Sequence, residues 1–131
     1  MTLAGKHIVA IDDTQSIRTF LRVSLEDEGA HFYEAATAQE GYELCQKVKP
    51  HLIVLDLGLP DMDGLDLLPR LKELFAGNDE LITPRVLVLT VRKGRKTIEE
   101  ACSKGADSYL TKPFMVDDLL DVIDEELNGL N

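Results

Sequence analysis

The sequence predicts an α/β protein built on a doubly wound, five-stranded parallel sheet, and three observations carry that expectation. Short apolar runs alternate, five times over, with segments whose apolar residues recur at helical spacing. The central runs, Leu52-Ile53-Val54-Leu55 and Val86-Leu87-Val88-Leu89, have no polar face, as strands covered by helices on both sides require. Four of the runs also stop at polar or charged groups that could converge. His7–Ile11 ends in Asp12-Asp13, His51–Leu55 in Asp56, Arg85–Leu89 in Thr90, and Ser108–Leu110 passes through Thr111 into Lys112-Pro113. In open parallel sheets ligands bind just outside the carboxyl ends of the strands, so chemistry is expected around Asp56.

The elements follow in order. After the first strand, Ile17, Phe20, Leu21, Ser24 and Leu25 mark a helix that Gly29 closes. His31–Ala35 reads as a second strand, more polar than the first. Thr37 opens a helix with Gly41, Leu44, Cys45 and Val48 on one face, and Pro50 ends it. Beyond the third strand, Leu57-Gly58-Leu59-Pro60-Asp61-Met62-Asp63-Gly64 is a turn-rich loop. Asp63 is placed to cap a third helix, with Asp66 in its first turn. Leu65, Leu68, Leu71 and Phe75 form the buried stripe of that helix, and Pro69 inside it is expected to kink it. Ala76–Pro84 is a polar linker into the fourth strand. Arg92–Lys96 reads as a basic loop opening a weakly amphipathic helix, with Ile98, Ala101 and Cys102 as its apolar contacts and Gly105-Ala106 at its end. Past the fifth strand, Val116, Leu119, Leu120, Ile123 and Leu127 give the best amphipathic stripe in the chain.

With 131 residues and no repeats, the chain reads as one domain, residues 1–131 with a core of about 6–127. Its 24 acidic against 14 basic residues give a net charge of −10, which argues against direct binding to nucleic acid or an anionic membrane. Neither a membrane-length apolar run nor a signal-peptide core is visible, so a cytoplasmic location is expected. Cys45 and Cys102 sit at apolar helical positions and are expected to be buried, inert thiols. His7, His31 and His51 lack ligand spacing and read as structural or exposed.

The acidic pair Asp12-Asp13, Asp56, Thr90, Tyr109 and Lys112-Pro113, in this order and spacing, resemble the receiver domains of two-component response regulators. The resemblance spans nearly the whole chain. It implies a flavodoxin-like (βα)5 fold with strand order 2-1-3-4-5, which brings Asp12, Asp13 and Asp56 together at the topological switch point. Asp56 would then be the phosphorylated residue. Asp12, Asp13, Asp56 and the Gly58 carbonyl would hold Mg²⁺, with Mn²⁺ an alternative. Three carboxylates at about 5 Å repel by roughly 3 kcal/mol per pair, so a cation or protonation must relieve them, and an all-oxygen set favours these hard ions over zinc. Lys112 would supply a fixed positive charge, and backbone amides near Gly58 and Val91 would complete the phosphoryl cradle. Thr90 and Tyr109 would form the switch, moving a face made of the fourth helix, fifth strand and fifth helix. The resemblance further implies a cis peptide at Pro113. The implied phosphodonor is a sensor histidine kinase or histidine phosphotransfer protein, and the implied role is a switch with no outside turnover substrate.

Singly, each of these residues has a plainer role: an aspartate at a strand end is more often a cap, and Thr90 alone is a β-former. Two departures from the family pattern bear on function. Val91 stands where alanine or glycine is usual and is expected to shield the phosphoryl group from water. The fifth helix has no Lys or Arg, which points to a monomer when unphosphorylated. Two other readings compete. Asp61-Met62-Asp63-Gly64 matches the D-x-D-G core of haloacid-dehalogenase-type phosphatases, although there the first aspartate should end the apolar strand. A degenerate receiver would only dock partners, but the acidic pair, threonine and lysine are all present.

Overall fold

A computed structural model describes residues 2–77 and 83–129. Strands β1 (His7–Ile11), β2 (His31–Ala35), β3 (Leu52–Leu55), β4 (Arg85–Thr90) and β5 (Ser108–Thr111) alternate with helices α1 (Gln15–Asp27), α2 (Ala38–Val48), α3 (Gly64–Phe75), α4 (Arg95–Ser103) and α5 (Val116–Asn128). The strands are all parallel, in the order β2-β1-β3-β4-β5. Crossovers from β1 run first to one side and then to the other, so the ends of β1 and β3 face each other at the switch point.

Period-two side-chain alternation in the strands builds two cores. Val9, Ile11, Ile53, Leu55, Val86 and Val88 point to the side covered by α2, α3 and Ala101 of α4. Ile8, Ala10, Leu52, Val54, Leu87 and Leu89 point to the side covered by α1 and α5. The continuous apolar runs are thus buried on both faces, and this is what drives the three-layer stack.

Local chemistry sets the helix ends. The Thr37 side chain accepts from Glu40 N–H at 3.1 Å, and Asp63 accepts from Leu65 N–H at 2.9 Å. Helix α3 runs unbroken through Pro69, which lies on its exposed side. Lys49 closes α2 in the left-handed region at φ 55°. Part of the predicted 76–84 linker, residues 78–82, lies outside the described residues.

Four expectations need correction. Cys102 is exposed, because α4 touches the core through the single fully buried residue Ala101. The basic stretch is not all loop: Arg95 and Lys96 form the first turn of α4, behind Gly94 at φ 105°. Of the α5 stripe only Leu119 and Ile123 are fully buried, while Val116 at the helix start is 37% exposed. On α1, Phe20 is exposed and packs edge-on against Phe114 at 5.7 Å. Among the described residues no helix is long and apolar enough to cross a membrane.

Candidate functional site

The carboxyl ends of β1 and β3 place three carboxylates together. Asp12, Asp13 and Asp56 each offer an oxygen within 4.8 Å of the others. Asp12 and Asp56 are only 2% and 7% exposed, and Asp13 is open to solvent. The strand register fixes this arrangement: Asp56 N–H continues the β1–β3 ladder onto Ile11 O at 2.9 Å, and Asp12 N–H continues the β1–β2 ladder onto Ala35 O at 3.0 Å.

Asp12 is held from several sides. Its Oδ1 accepts from Thr14 N–H at 2.9 Å, its Oδ2 from Lys112 Nζ at 2.7 Å, and its backbone carbonyl from Arg18 Nη1 at 2.7 Å. Burial pushes its carboxyl above the usual carboxylate range, with nearby Asp56 adding to the effect; the Lys112 and Thr14 hydrogen bonds work against it. The Lys112 ammonium also reaches Asp56 Oδ2 at 3.5 Å, so one cation sits between the two buried carboxylates. Lys112 itself arrives from the end of β5, where its N–H donates to Thr90 O at 2.8 Å and its peptide bond to Pro113 is cis.

The remaining predicted residues fall around this centre. Gly58 N–H donates back to Asp56 Oδ1 at 3.3 Å, and an isolated bridge to Asp63 folds the loop over. Thr90, 1% exposed at the end of β4, accepts from Arg92 N–H on Oγ1 at 3.4 Å. Val91 points away from the core and is 67% exposed. Tyr109 on β5 is half-buried and its hydroxyl donates to Arg92 O at 2.9 Å, tying β5 to the β4–α4 connection.

Several contributors were not expected at this site from the sequence. Arg92 spans the loop mouths: its guanidinium bonds Asp63 at 3.1 Å and Leu57 O at 3.4 Å. Gly64 lies so close under the end of β3 that a Cβ there would sit 2.6 Å from both Asp56 O and Leu57 Cα. Arg18 holds both the Asp12 carbonyl and the Glu34 carboxylate. A glycine after a capping aspartate was the one visible signal for Gly64; for the arginines there was none, since their side-chain partners lie 6 to 35 residues away and follow no local pattern.

The D-x-D-G stretch has a structural use. Asp61 accepts from Ala38 N–H at 2.8 Å and Gln39 N–H at 3.0 Å, capping α2 from a neighbouring loop, and those two bonds pull its carboxyl below the usual range. Asp63 caps α3. Neither ends the apolar strand, a position that Asp56 holds.

Hard oxygen donors, two of them buried and all three mutually repelling, fit a small divalent ion such as Mg²⁺. A half-buried ammonium beside them, a threonine hydroxyl and a backbone N–H aimed at Asp56 make a place for an anionic group next to a carboxylate.

Comparison with known proteins agrees with this geometry. The family description "Response regulator receiver domain" matches residues 8–124. The chain is 40% identical over 113 residues to the KDP operon transcriptional regulatory protein KdpE of Escherichia coli, covering 86% of this chain and 47% of that protein. It is 38% identical to an uncharacterized 14.6 kDa protein of Leptolyngbya boryana, with coverage of 86% and 82%. Among solved structures, a CheY-like receiver domain protein of Methanospirillum hungatei superposes with a TM-score of 0.85 at 32% identity, covering 94% of each chain. The chain spans about half the length of KdpE and of the PhoP regulators it also matches. With five parallel strands in the order 2-1-3-4-5 and the acidic cluster at their carboxyl ends, the chain belongs to the response regulator receiver domain family of two-component signalling.

Proposed function

We propose that Asp56 takes a phosphoryl group from a phosphohistidine donor, a sensor kinase or a phosphotransfer protein, and that the domain thereby switches. The observation that carries this reading is the convergence of Asp12, Asp13 and Asp56 within 4.8 Å, with Lys112 Nζ 3.5 Å from the Asp56 oxygen. Asp12, Asp13, Asp56 and the Gly58 carbonyl are the groups that would hold Mg²⁺ or Mn²⁺, which supplies charge neutralisation for phosphoryl transfer when bound.

The chain's own groups do the rest. Asp56 attacks phosphorus as its P–O bond forms and the donor P–N bond breaks, giving an acyl phosphate. Lys112 is placed to follow the phosphoryl oxygens, releasing part of its hold on Asp56. Thr90 Oγ1 offers a hydroxyl donor, and N–H groups near Gly58 and Val91 offer backbone donors. Val91, at the rim, shields the product from water. A new dianion beside Thr90 draws its hydroxyl inward. That movement reaches Tyr109 through Arg92, whose N–H rests on Thr90 and whose carbonyl takes the Tyr109 hydroxyl. The readout face is α4, β5 and α5, and the unphosphorylated domain is a monomer with no outside turnover substrate.

Incubation with a small phosphodonor and Mg²⁺, followed by intact mass, tests the reading. One phosphoryl adduct is expected, absent without the ion and absent in Asp56→Asn. An adduct that survives in that variant refutes the assignment; continuous phosphate release without an adduct favours the hydrolase reading.

A further inference from the structure

The chain's three histidines, distant in sequence, meet at the end of the sheet opposite the acidic site. His7 pairs in register with His31 across β1–β2, and His51 N–H donates to His7 O at 2.8 Å just ahead of β3. Their rings stack, His7 on His31 at 4.7 Å and His7 on His51 at 5.7 Å, with interplanar angles of 17° and 23°. Tyr33, two residues along β2, stacks on His7 at 5.8 Å and shares a 2.8 Å hydrogen bond with His7 Nδ1. This row continues the odd-numbered face of β1, β2 and β3.

One contact fixes a protonation state. His7 N–H donates to His51 Nδ1 at 2.9 Å, so that nitrogen must carry a lone pair and the proton of the neutral ring must be on Nε2. A second proton could enter only at Nδ1. It would turn the acceptor into a donor facing another N–H and leave the part-buried His7 amide without its partner. It would also set a cation beside the imidazole of His7 and near Lys6.

We propose that the His31–His7–His51 row is an acid-sensitive lock on the starts of β2, β1 and β3: with the His51 ring neutral it closes the base of the sheet, and protonation of His51 opens it. The groups acting on His51 are few. Burial disfavours its cation first, and Lys6 and His7 act in the same direction. From β4, Arg85 gives His51 O its backbone N–H, while its guanidinium is engaged by Asp107 and Glu126. Lys72 of α3 is bound to Asp107, and Lys49 lies exposed on the connection leading into His51. No carboxylate bonds any of the three rings among the described residues, so nothing there offsets added positive charge.

The sign follows from linkage. The unfolded chain, with histidines titrating near ~6.5, takes up a proton that the folded chain resists. The stabilising effect is therefore complete above that pH and is lost as the pH falls through the lower folded-state midpoint. Because β1 and β3 carry Asp12, Asp13 and Asp56 at their other ends, the lock acts on the two strands that form the acidic site. It stands on its own geometry, whether or not Asp56 is a phosphoryl acceptor.

The test compares the wild type with His51→Gln, whose amide oxygen can still accept the His7 N–H but does not titrate. Urea unfolding is followed from pH 7.5 to 5.0 in magnesium-free buffer, together with long-range ¹H–¹⁵N spectra of the imidazoles. Below pH 6.5 the wild type should lose folding equilibrium constant more steeply than the variant, by up to about tenfold per pH unit for one proton. The His51 ring should be the Nε2–H tautomer and titrate below the histidines of the urea-unfolded chain. Equal pH slopes in the two proteins, a proton on Nδ1 in the neutral ring, or an ordinary His51 midpoint would each overturn the proposal. Should His51→Gln fail to fold, the wild-type imidazole spectra decide it alone.

Discussion

Replacing Asp56 with asparagine should stabilise the magnesium-free protein, even though it removes the proposed phosphoryl acceptor. At an effective dielectric of about 20, Asp12 and Asp56 oxygens within 4.8 Å repel by at least ~3–4 kcal/mol, and exposed Asp13 adds a smaller, solvent-screened amount. Against this stands the attraction of Lys112 Nζ at 3.5 Å, on the order of 5 kcal/mol by the same arithmetic. The Coulomb terms nearly cancel, so the desolvation of a carboxylate only 7% exposed decides the sign, and that cost vanishes in the neutral amide. Asparagine also keeps an oxygen for the Gly58 N–H, and Lys112 keeps its 2.7 Å bond to Asp12. A gain of ~1–2 kcal/mol is expected, or about 4–8 °C in Tm for a domain of this size. Thermal unfolding in EDTA and then in Mg²⁺ measures it. The wild type should rise on adding the ion, since a ligand that binds only the folded state stabilises it, and Asp56→Asn should rise less. A variant that melts at or below the wild type in EDTA would refute the claim that this site is under electrostatic strain.

Three further outcomes follow from the same structure. Gly64→Ala should cost about 1–3 kcal/mol and slow adduct formation, because its Cβ would press on the Asp56 carbonyl and Leu57 backbone 2.6 Å away; unchanged urea midpoints would contradict this. Native alkylation should label Cys102 alone, since burial pushes the Cys45 thiol up to about 12, while denaturant should expose both to mass spectrometry. In magnesium-free protein the Asp12 carboxyl should titrate above the ordinary aspartate range by carbon-detected NMR, and Mg²⁺ should lower its midpoint. Because its folded-state pKa is raised, Asp12 favours the fold fully only below ~3.8, and that contribution is lost as the pH rises through the folded midpoint.

The parallel α/β class was legible because both-sided burial leaves a direct trace, four consecutive apolar residues without alternation, as at Leu52–Leu55. The site's main residues were legible for a related reason: each ends a strand, and in this class strand ends share one edge of the sheet. The caps at Thr37 and Asp63 could be read locally, since a cap and its N–H partner are two or three residues apart.

What the sequence could not carry was every pairing across elements. Burial of a helix face depends on how far the helix lies over the sheet. The same apolar spacing therefore left Cys102 and Val116 in solvent while Cys45 was buried. Asp61 reads as half of a catalytic motif until the fold sets it on the N-terminus of α2, and Arg92 as part of a basic loop until it reaches Asp63. His7, His31 and His51 show no spacing at all along the chain. Only strand register, a property of backbone hydrogen bonds between segments far apart in sequence, stacks them into one row. A one-dimensional pattern records which side chains are apolar and where the chain turns; which ones touch is settled by the pairing of strands and the seating of helices upon them.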